Sequence, residues 1–362
     1  MKKTDVQHPS QSRIGCVDLF CGAGGLSYGL ARAGVEVTAG VDLDPDCSFP
    51  YEANNHGRFI LRDVGKLTGK ELKKFYPNAP IKLLAGCAPC QPFSTYSQGR
   101  DARRNPDWRL LSEFGRLVRE LNPELVTMEN VPQLRGHAIF HEFLKSLSGF
   151  DVWYDVVDCA EYGMPQSRRR LVLLASKLGP VALALPRKKS NQRPSTVRET
   201  IGRLPALESG QQDAKDPIHI ASKLTEINLK RIRQSSPGRT WMDWDESLRA
   251  PCHTRATGAR YGAVYGRMEW DLPAPTMTTL CYGFGNGRFG HPEQDRGISL
   301  REAAMLQTFP RSYKFIEKDA RVKISVVGRL IGNAVPPKLG EIIGRTMMNH
   351  VARRGTHGAP PG

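Results

Sequence analysis

Long apolar runs are missing from this 362-residue chain, and no stretch reaches the length of a membrane span. The opening residues, MKKTDVQHPSQSR, are basic and polar and lack the apolar core of an export signal. Disulfide spacing is missing too: the eight cysteines are scattered, which fits a reducing compartment. Cys87 and Cys90 form one C-x-x-C pair, with no second pair and no histidine close by. A closed four-ligand site cannot be assembled from those neighbours, so no metal is expected and a redox role is disfavoured. Internal repeats are absent. Acidic residues are in short supply, 36 Asp and Glu against 52 Lys and Arg, for a formal charge of +16. That excess points to a polyanionic partner, nucleic acid first, over a merely basic soluble protein. No amphipathic basic helix stands out that would favour an acidic membrane surface. The expectation is a cytoplasmic protein with no membrane association.

What is present begins with 40% hydrophobic residues, enough for one large domain with a core plus a smaller one. Residues 14–20 read as a strand, 21–25 (CGAGG) as a turn and 26–33 as a helix. Strand, glycine turn and helix open a doubly wound nucleotide-binding sheet, because glycines let the backbone approach a ligand and the helix N-terminus offers N–H groups. Taken alone, such a turn is a weak signal. A second strand, 35–41, runs into Asp42-Leu43-Asp44. An acid roughly twenty positions after the glycine turn stands where a ribose diol is held, and Asp44-Pro45 suits a helix start. Asp42 on the ligand with Asp44 capping satisfies both readings. Residues 59–61 read as a third strand with Asp63 at its end. Asp63 is either a turn residue or a carboxylate placed to accept from an adenine amino group.

The chain is organised around residues 85–97, AGCAPCQPFSTYS. A buried strand over 81–85 ends at Gly86, and Cys90 follows between Pro89 and Gln91-Pro92. Prolines on both sides restrict the backbone and favour one direction for the sulfur. A lone cysteine is more often a small core hydrophobe than a nucleophile, so the nucleophile reading needs support from other segments. Residues 94–105, with Arg100, Arg103 and Arg104, are either a substrate-contacting arm or a solvated basic loop. Residues 108–121 have helical periodicity, and 124–128 read as a strand ending at Glu129. By itself Glu129 reads as a surface residue; on a sheet edge shared with Cys90 it becomes a candidate acid.

Two further strands, 152–157 and 171–175, flank YGMPQSRRR. Alternate side chains of an extended segment share a direction, so Arg168 and Arg170 are expected in a pocket with Arg169 facing away, the alternative being a basic surface loop. From about 186 to about 290 periodicity is poor. Trp241, Trp244, Tyr261 and Tyr265 interleave there with Arg239, Arg249, Arg255, Arg260 and Arg267. That texture suits contacts to a duplex, or a small domain with its own aromatic core. Residues 299–309 read as a helix capped by Ser299 with Glu302 at the box position, and a last helix is expected over 339–351.

Together these segments resemble the C5-cytosine-specific DNA methyltransferase family, prokaryotic type, in that family's motif order from Val17 to about Val351. The matching pieces are DLFCGAGGLSYGL (18–30), APCQPFS (88–94), ENV (129–131), QSRRR (166–170), YGR (265–267), PAPTMTT (273–279), LREAAMLQTFP (300–310) and GNAVPP (332–337). One such motif is weak to moderate; several at proper spacing are strong. The resemblance implies an α/β fold, a doubly wound, mostly parallel Rossmann-like sheet, with a second, smaller irregular domain. Its layout would be a flexible N-terminus (1–12), a catalytic domain (13–180), a target-recognition domain (181–290), a connection (291–324), a C-terminal helix segment completing the catalytic domain (325–352) and a flexible tail (353–362).

The resemblance also assigns residues. It implies Cys90 as nucleophile, with Glu129, Arg168 and Arg170 around the base. S-adenosyl-L-methionine would be held by Asp18, Phe20, Gly22, Gly24, Gly25 and Leu26, by Asp42 (where the family more often has Glu) and Leu43, by Asp63 and Val64, and by Asn333 and Ala334. Pro89, Gln91, Ser94, Arg100, Gln166, Tyr265, Arg267 and Thr278 would meet the substrate. The partner is expected to be double-stranded DNA, and the protein a monomer that is either part of a restriction-modification system, with no stable complex to a cognate endonuclease, or a solitary modification enzyme. An RNA cytosine methyltransferase on the same scaffold and a catalytically silent DNA-binding homologue are the alternatives.

Overall fold

Residues 14–19, IGCVDL, are all buried, as expected of a strand covered on both faces. They form β1 (Ile14–Leu19), a central strand of the sheet. The structure is a computed structural model, and it describes residues 14–77, 79–89, 109–186, 193–251, 253, 255 and 262–355. Cys90, Gln91, Ser94 and Arg100, together with Arg103, Arg104, Arg260 and Tyr261, lie outside the described residues.

The other strands are β2 (Glu36–Asp42), β3 (Arg58–Leu61), β4 (Ile81–Gly86), β5 (Leu125–Asn130), β6 (Asp151–Asp158) and β7 (Arg169–Ser176). Their order is β3-β2-β1-β4-β5-β7-β6, parallel from β3 to β5, with β7 antiparallel to both β5 and β6. This is the expected doubly wound, mostly parallel sheet. Strand order reverses between β1 and β4, so their carboxyl ends open into the crevice where such sheets hold ligands.

The helices are α1 (Gly25–Arg32), α2 (Ser48–Glu52), α3 (Gly69–Lys73), α4 (Leu110–Leu121), α5 (Ala138–Lys145), α6 (Val197–Ile201), α7 (Glu226–Gln234), α8 (Leu300–Leu306), α9 (Ile324–Asn333) and α10 (Pro337–Gly355). Alternation along the strands feeds two layers. Leu84, Val126 and Met128 pack with Leu111, Phe114 and Leu117 of α4 and Phe140 of α5. Leu83, Ala85 and Leu125 pack on the opposite side with Leu26 and Leu30 of α1 and Leu339, Ile343 and Met347 of α10. Each fully buried leucine contributes roughly 2 kcal/mol. α10 starts at Pro337, a residue suited to the first helical turn, and runs past position 353, where a loose tail was expected.

The smaller region has two cores. One joins Ile201, Ile218, Met268 and Phe289 to Leu300 of α8 and Leu330 of α9, so the expected connection over 291–324 supplies core residues. The other collects Trp241, Trp244, Leu224, Ile232 and Phe284, the aromatic core that the sequence offered as an alternative to duplex contacts. The expected boundary at 180 falls inside packed chain: Val181 and Leu183 belong to the layer of α1 and α10, and the Ala184 N–H donates to Thr346 Oγ1 at 3.2 Å.

Candidate active site

The glycine turn leaves β1 through three left-handed residues, Phe20 (φ 57°), Gly22 (φ 54°) and Gly24 (φ 88°). A Cβ on Gly25 would sit 2.2 Å from the Val335 carbonyl oxygen, so only glycine lets α1 start against the C-terminal segment. Between turn and segment lies a cavity of about 210 Å³. Asp18, Phe20, Gly22, Leu26 and Asp42 line it on one side, and Asn333 and Ala334 on the other. Seven of the expected cofactor residues therefore converge.

Asp18 Oδ2 accepts from Ser27 Oγ at 2.7 Å, and Asp18 Oδ1 is buried without a hydrogen-bond partner among the described residues. Burial pushes the Asp18 carboxyl up to about 7, with Asp42 adding to the shift and Ser27 opposing it. Asp42 accepts from the Gly22 N–H at 2.8 Å and the Asp44 N–H at 3.0 Å. It braces the glycine turn as well as facing the cavity; burial raises its proton affinity and the two N–H groups oppose the rise. Asp44 caps the following turn by accepting from the Asp46 N–H at 3.1 Å.

The remaining cofactor expectations are placed differently. Asp63 accepts from the Gly65 N–H at 2.9 Å, a turn-capping contact, and does not line the cavity. Val64 is buried in the main core. Leu43 is 66% exposed, and Gly24 and Gly25 do not line the cavity. A wall residue the sequence did not reveal is Arg329 of α9, which pairs with Asp44 and, at 2.8 Å, with Asp46 across the cavity. Its one signal was a basic residue a helical turn before Asn333.

The acid expected at the end of β5 is inside the strand. Glu129 is 3% exposed, a correction to its reading as a surface residue, because antiparallel β7 continues the pairing through Glu129–Val172 and Asn130–Leu171. Arg170 Nε lies 2.9 Å from Glu129 Oε1, while Arg169 is exposed. Among the described residues the Oε1 atom accepts no well-aligned hydrogen bond, so Arg170 acts on it mainly as a charge. Cys87 Sγ donates to Glu129 Oε2 at 3.0 Å. Asn130 Nδ2 donates to the Ala88 carbonyl at 2.9 Å, tying β5 to the segment that leads to Pro89, and Cys87, Ala88 and Pro89 all line the cavity.

Arg168 is buried beside a half-buried Arg170 with Arg169 exposed, as the alternation suggested. Its guanidinium also donates to the carbonyls of Met277 (2.9 Å), Gly332 (3.3 Å) and Ala334 (3.3 Å), tying the start of β7 to two distant segments. Gln166, expected at the substrate, is 1% exposed, donates to Gln307 Oε1 at 2.6 Å and accepts from the Met277 N–H at 2.9 Å. Arg267 is likewise buried, donating to the carbonyls of Ser235 (2.8 Å) and His291 (2.9 Å) and pairing with Asp295 at 2.5 Å. Tyr265 (φ 57°) packs edge-on against Trp244 and Phe284 in the aromatic core. Thr278 is half-buried, its backbone pressed against Gly332, where an added Cβ would come within 2.3 Å. Among the described residues no cluster of metal-ligating side chains occurs, and no helix is long and apolar enough to cross a membrane.

A sheet that ends in an antiparallel β7 set between β5 and β6, with a glycine turn and a carboxylate-lined cavity at its switch point, is a methyltransferase fold. The chain belongs to the C-5 cytosine-specific DNA methylase family, whose sequence profile matches residues 14–349. It is similar to the Type II methylase M.HgiDII of Herpetosiphon aurantiacus, 50% identical over 336 residues, 91% of this chain and 94% of that one. It is also similar to the Type II methyltransferase M1.BsuMI of Bacillus subtilis, 30% identical over 91% of this chain and 79% of that one. A crystal structure described as a DNA modification methyltransferase encoded within an E. coli prophage superposes with a TM-score of 0.71 at 24% identity, covering 94% of this chain and 99% of that one, a likeness of fold.

Proposed function

We propose that this protein transfers a methyl group from S-adenosyl-L-methionine to C5 of a flipped-out cytosine in a specific duplex DNA site, through a covalent bond from Cys90 to C6. The observation that carries this reading is a shared wall. Cys87, Ala88 and Pro89 line the cavity, Cys87 touches Glu129, and Cys90 is the next residue in the chain. Family membership supports cytosine C5 as the target, and the Type II relatives support a restriction-modification setting or a solitary modification role. The protein would act as a cytoplasmic monomer, with any cognate endonuclease meeting it only through the DNA.

S-adenosyl-L-methionine, when bound, supplies an electrophilic methyl group. The cavity suits it: Asp18 carries a buried acceptor with no partner among the described residues, Asp42 a second carboxylate, and Phe20, Leu26 and Leu330 apolar surface. Cytosine C5 is a poor nucleophile. Addition of the Cys90 thiolate at C6 makes the ring an enamine and pushes electron density to C5. Negative charge then builds on N3 and O2. A proton shared by Glu129 at N3, its other oxygen accepting from the N4 amino group, and Arg170 at O2 stabilise that charge. Once C5 carries the methyl group, loss of its proton to water expels the thiolate. The base must leave the stack first, which costs about 3 kcal/mol of unstacking and is offset by pocket contacts.

The test is Cys90→Ala. Methyl transfer to duplex DNA should be abolished while gel-shift binding persists; full transfer by that variant would overturn the reading.

A further inference from the structure

We infer that Cys87 is a positioning residue for Glu129: its thiol holds one carboxylate oxygen and so fixes the direction in which the acid faces the crevice. The kinetic consequence rests on the function proposed above; the contact itself does not.

The placement follows from strand register. β4 and β5 run parallel with Gly86 opposite Met128, so the next residue on each, Cys87 and Glu129, stand side by side. Cys87 Sγ lies 3.0 Å from Glu129 Oε2. On the other oxygen Arg170 supplies charge at 2.9 Å without an aligned hydrogen bond. The thiol therefore supplies a directed contact that the guanidinium does not. An ionised carboxylate only accepts hydrogen bonds, and a thiol is a small, weak donor that can meet it without displacing its neighbours.

Size matters as well. Cys87 also lines the cavity next to Ala88 and Pro89, so its side chain meets both the cavity and the buried acid. A larger donor would fill the cavity, and an apolar one would leave Oε2 without this bond.

Infrared difference spectra of the S–H stretch, wild type minus Cys87→Ala without DNA, test the contact. The Cys87 band should lie below the free-thiol frequency and move toward it in Glu129→Gln. A band at the free-thiol frequency in the wild type would overturn the inference, whatever the protein catalyses. Steady-state kinetics test the consequence. Cys87→Ala should lower kcat about tenfold, the size expected for a hydrogen bond to a charged group, with both KM values within about twofold. Cys87→Ser, which keeps a donor, should recover most of the loss. In a Glu129→Gln background, Cys87→Ala should cause no further loss; an undiminished loss there would show that Cys87 does not act through Glu129. A wild-type protein that makes no 5-methylcytosine would instead refute the proposed function, with the S–H band still deciding the contact.

Discussion

Glu129 and Arg170 come from adjacent antiparallel strands and meet at 2.9 Å, the acid 3% and the guanidinium side chain 12% exposed. Removing one partner of a buried pair strands the other charge, whereas replacing both with apolar groups of similar volume is close to neutral. Arg170→Ala should therefore lower unfolding free energy by about 3 kcal/mol in urea titrations. Glu129→Leu with Arg170→Met should restore most of it while methyl transfer stays absent. Equal stability of Arg170→Ala and wild type would show that the pair is solvated.

Asp18 gives a pH prediction. Folding raises its carboxyl from an ordinary 3.8 to about 7, so between those values the native state binds the proton that the unfolded state has lost. Its contribution to stability is therefore largest in acid and falls as pH climbs through that window, levelling above about 7. Measured without the methyl donor, wild type should lose stability relative to Asp18→Asn from pH 4 to pH 7. Parallel curves for the two proteins would refute a buried, proton-binding Asp18.

Arg168 is a third handle. Its loss removes a donor from the buried carbonyls of Met277 and Gly332 and leaves that of Ala334 with Gln307 Nε2 at 2.7 Å. Arg168→Lys should cost about 3 kcal/mol. It should also weaken binding of S-adenosyl-L-methionine several-fold, because Ala334 lines the cavity. Exposed Arg169→Ala should stay within about 0.5 kcal/mol of wild type by the same titration.

These three sites show what local pattern can and cannot reveal. The β1 strand, its glycine turn and α1 were legible because burial, left-handed turns and a helix start each have a short-range signature. So was the capping box of Ser299 and Glu302 at α8, which the structure contains. The burial of Glu129 was not, because it depends on β7 pairing antiparallel from more than forty residues away. Arg168 read as a residue of the catalytic pocket, and Gln166 and Arg267 as substrate contacts. The fold also brings backbone carbonyls from distant segments onto all three, and no pattern within a dozen residues announces that. Trp241 and Trp244 were legible as an aromatic core, since large rings on an irregular scaffold have few other places to go.

Arg329 supplies a further prediction. It bridges from α9 to Asp44 and Asp46 over the cavity, with partly exposed partners. Arg329→Ala should weaken S-adenosyl-L-methionine binding by about fivefold, equivalent to roughly 1 kcal/mol, chiefly through faster dissociation. Stopped-flow displacement should also show less dependence on salt than in wild type. Unchanged dissociation would mean that the bridge does not close the cavity.

The central claim is that this chain methylates carbon 5 of cytosine in duplex DNA. Its most direct test is mass spectrometry of nucleosides from duplex DNA incubated with the purified protein and methyl-labelled S-adenosyl-L-methionine, with transfer RNA as a competing acceptor. The account predicts labelled 5-methyl-2′-deoxycytidine from the DNA, none with Cys90→Ala, and no label in the RNA. Label on an exocyclic nitrogen, or in the RNA alone, would contradict it.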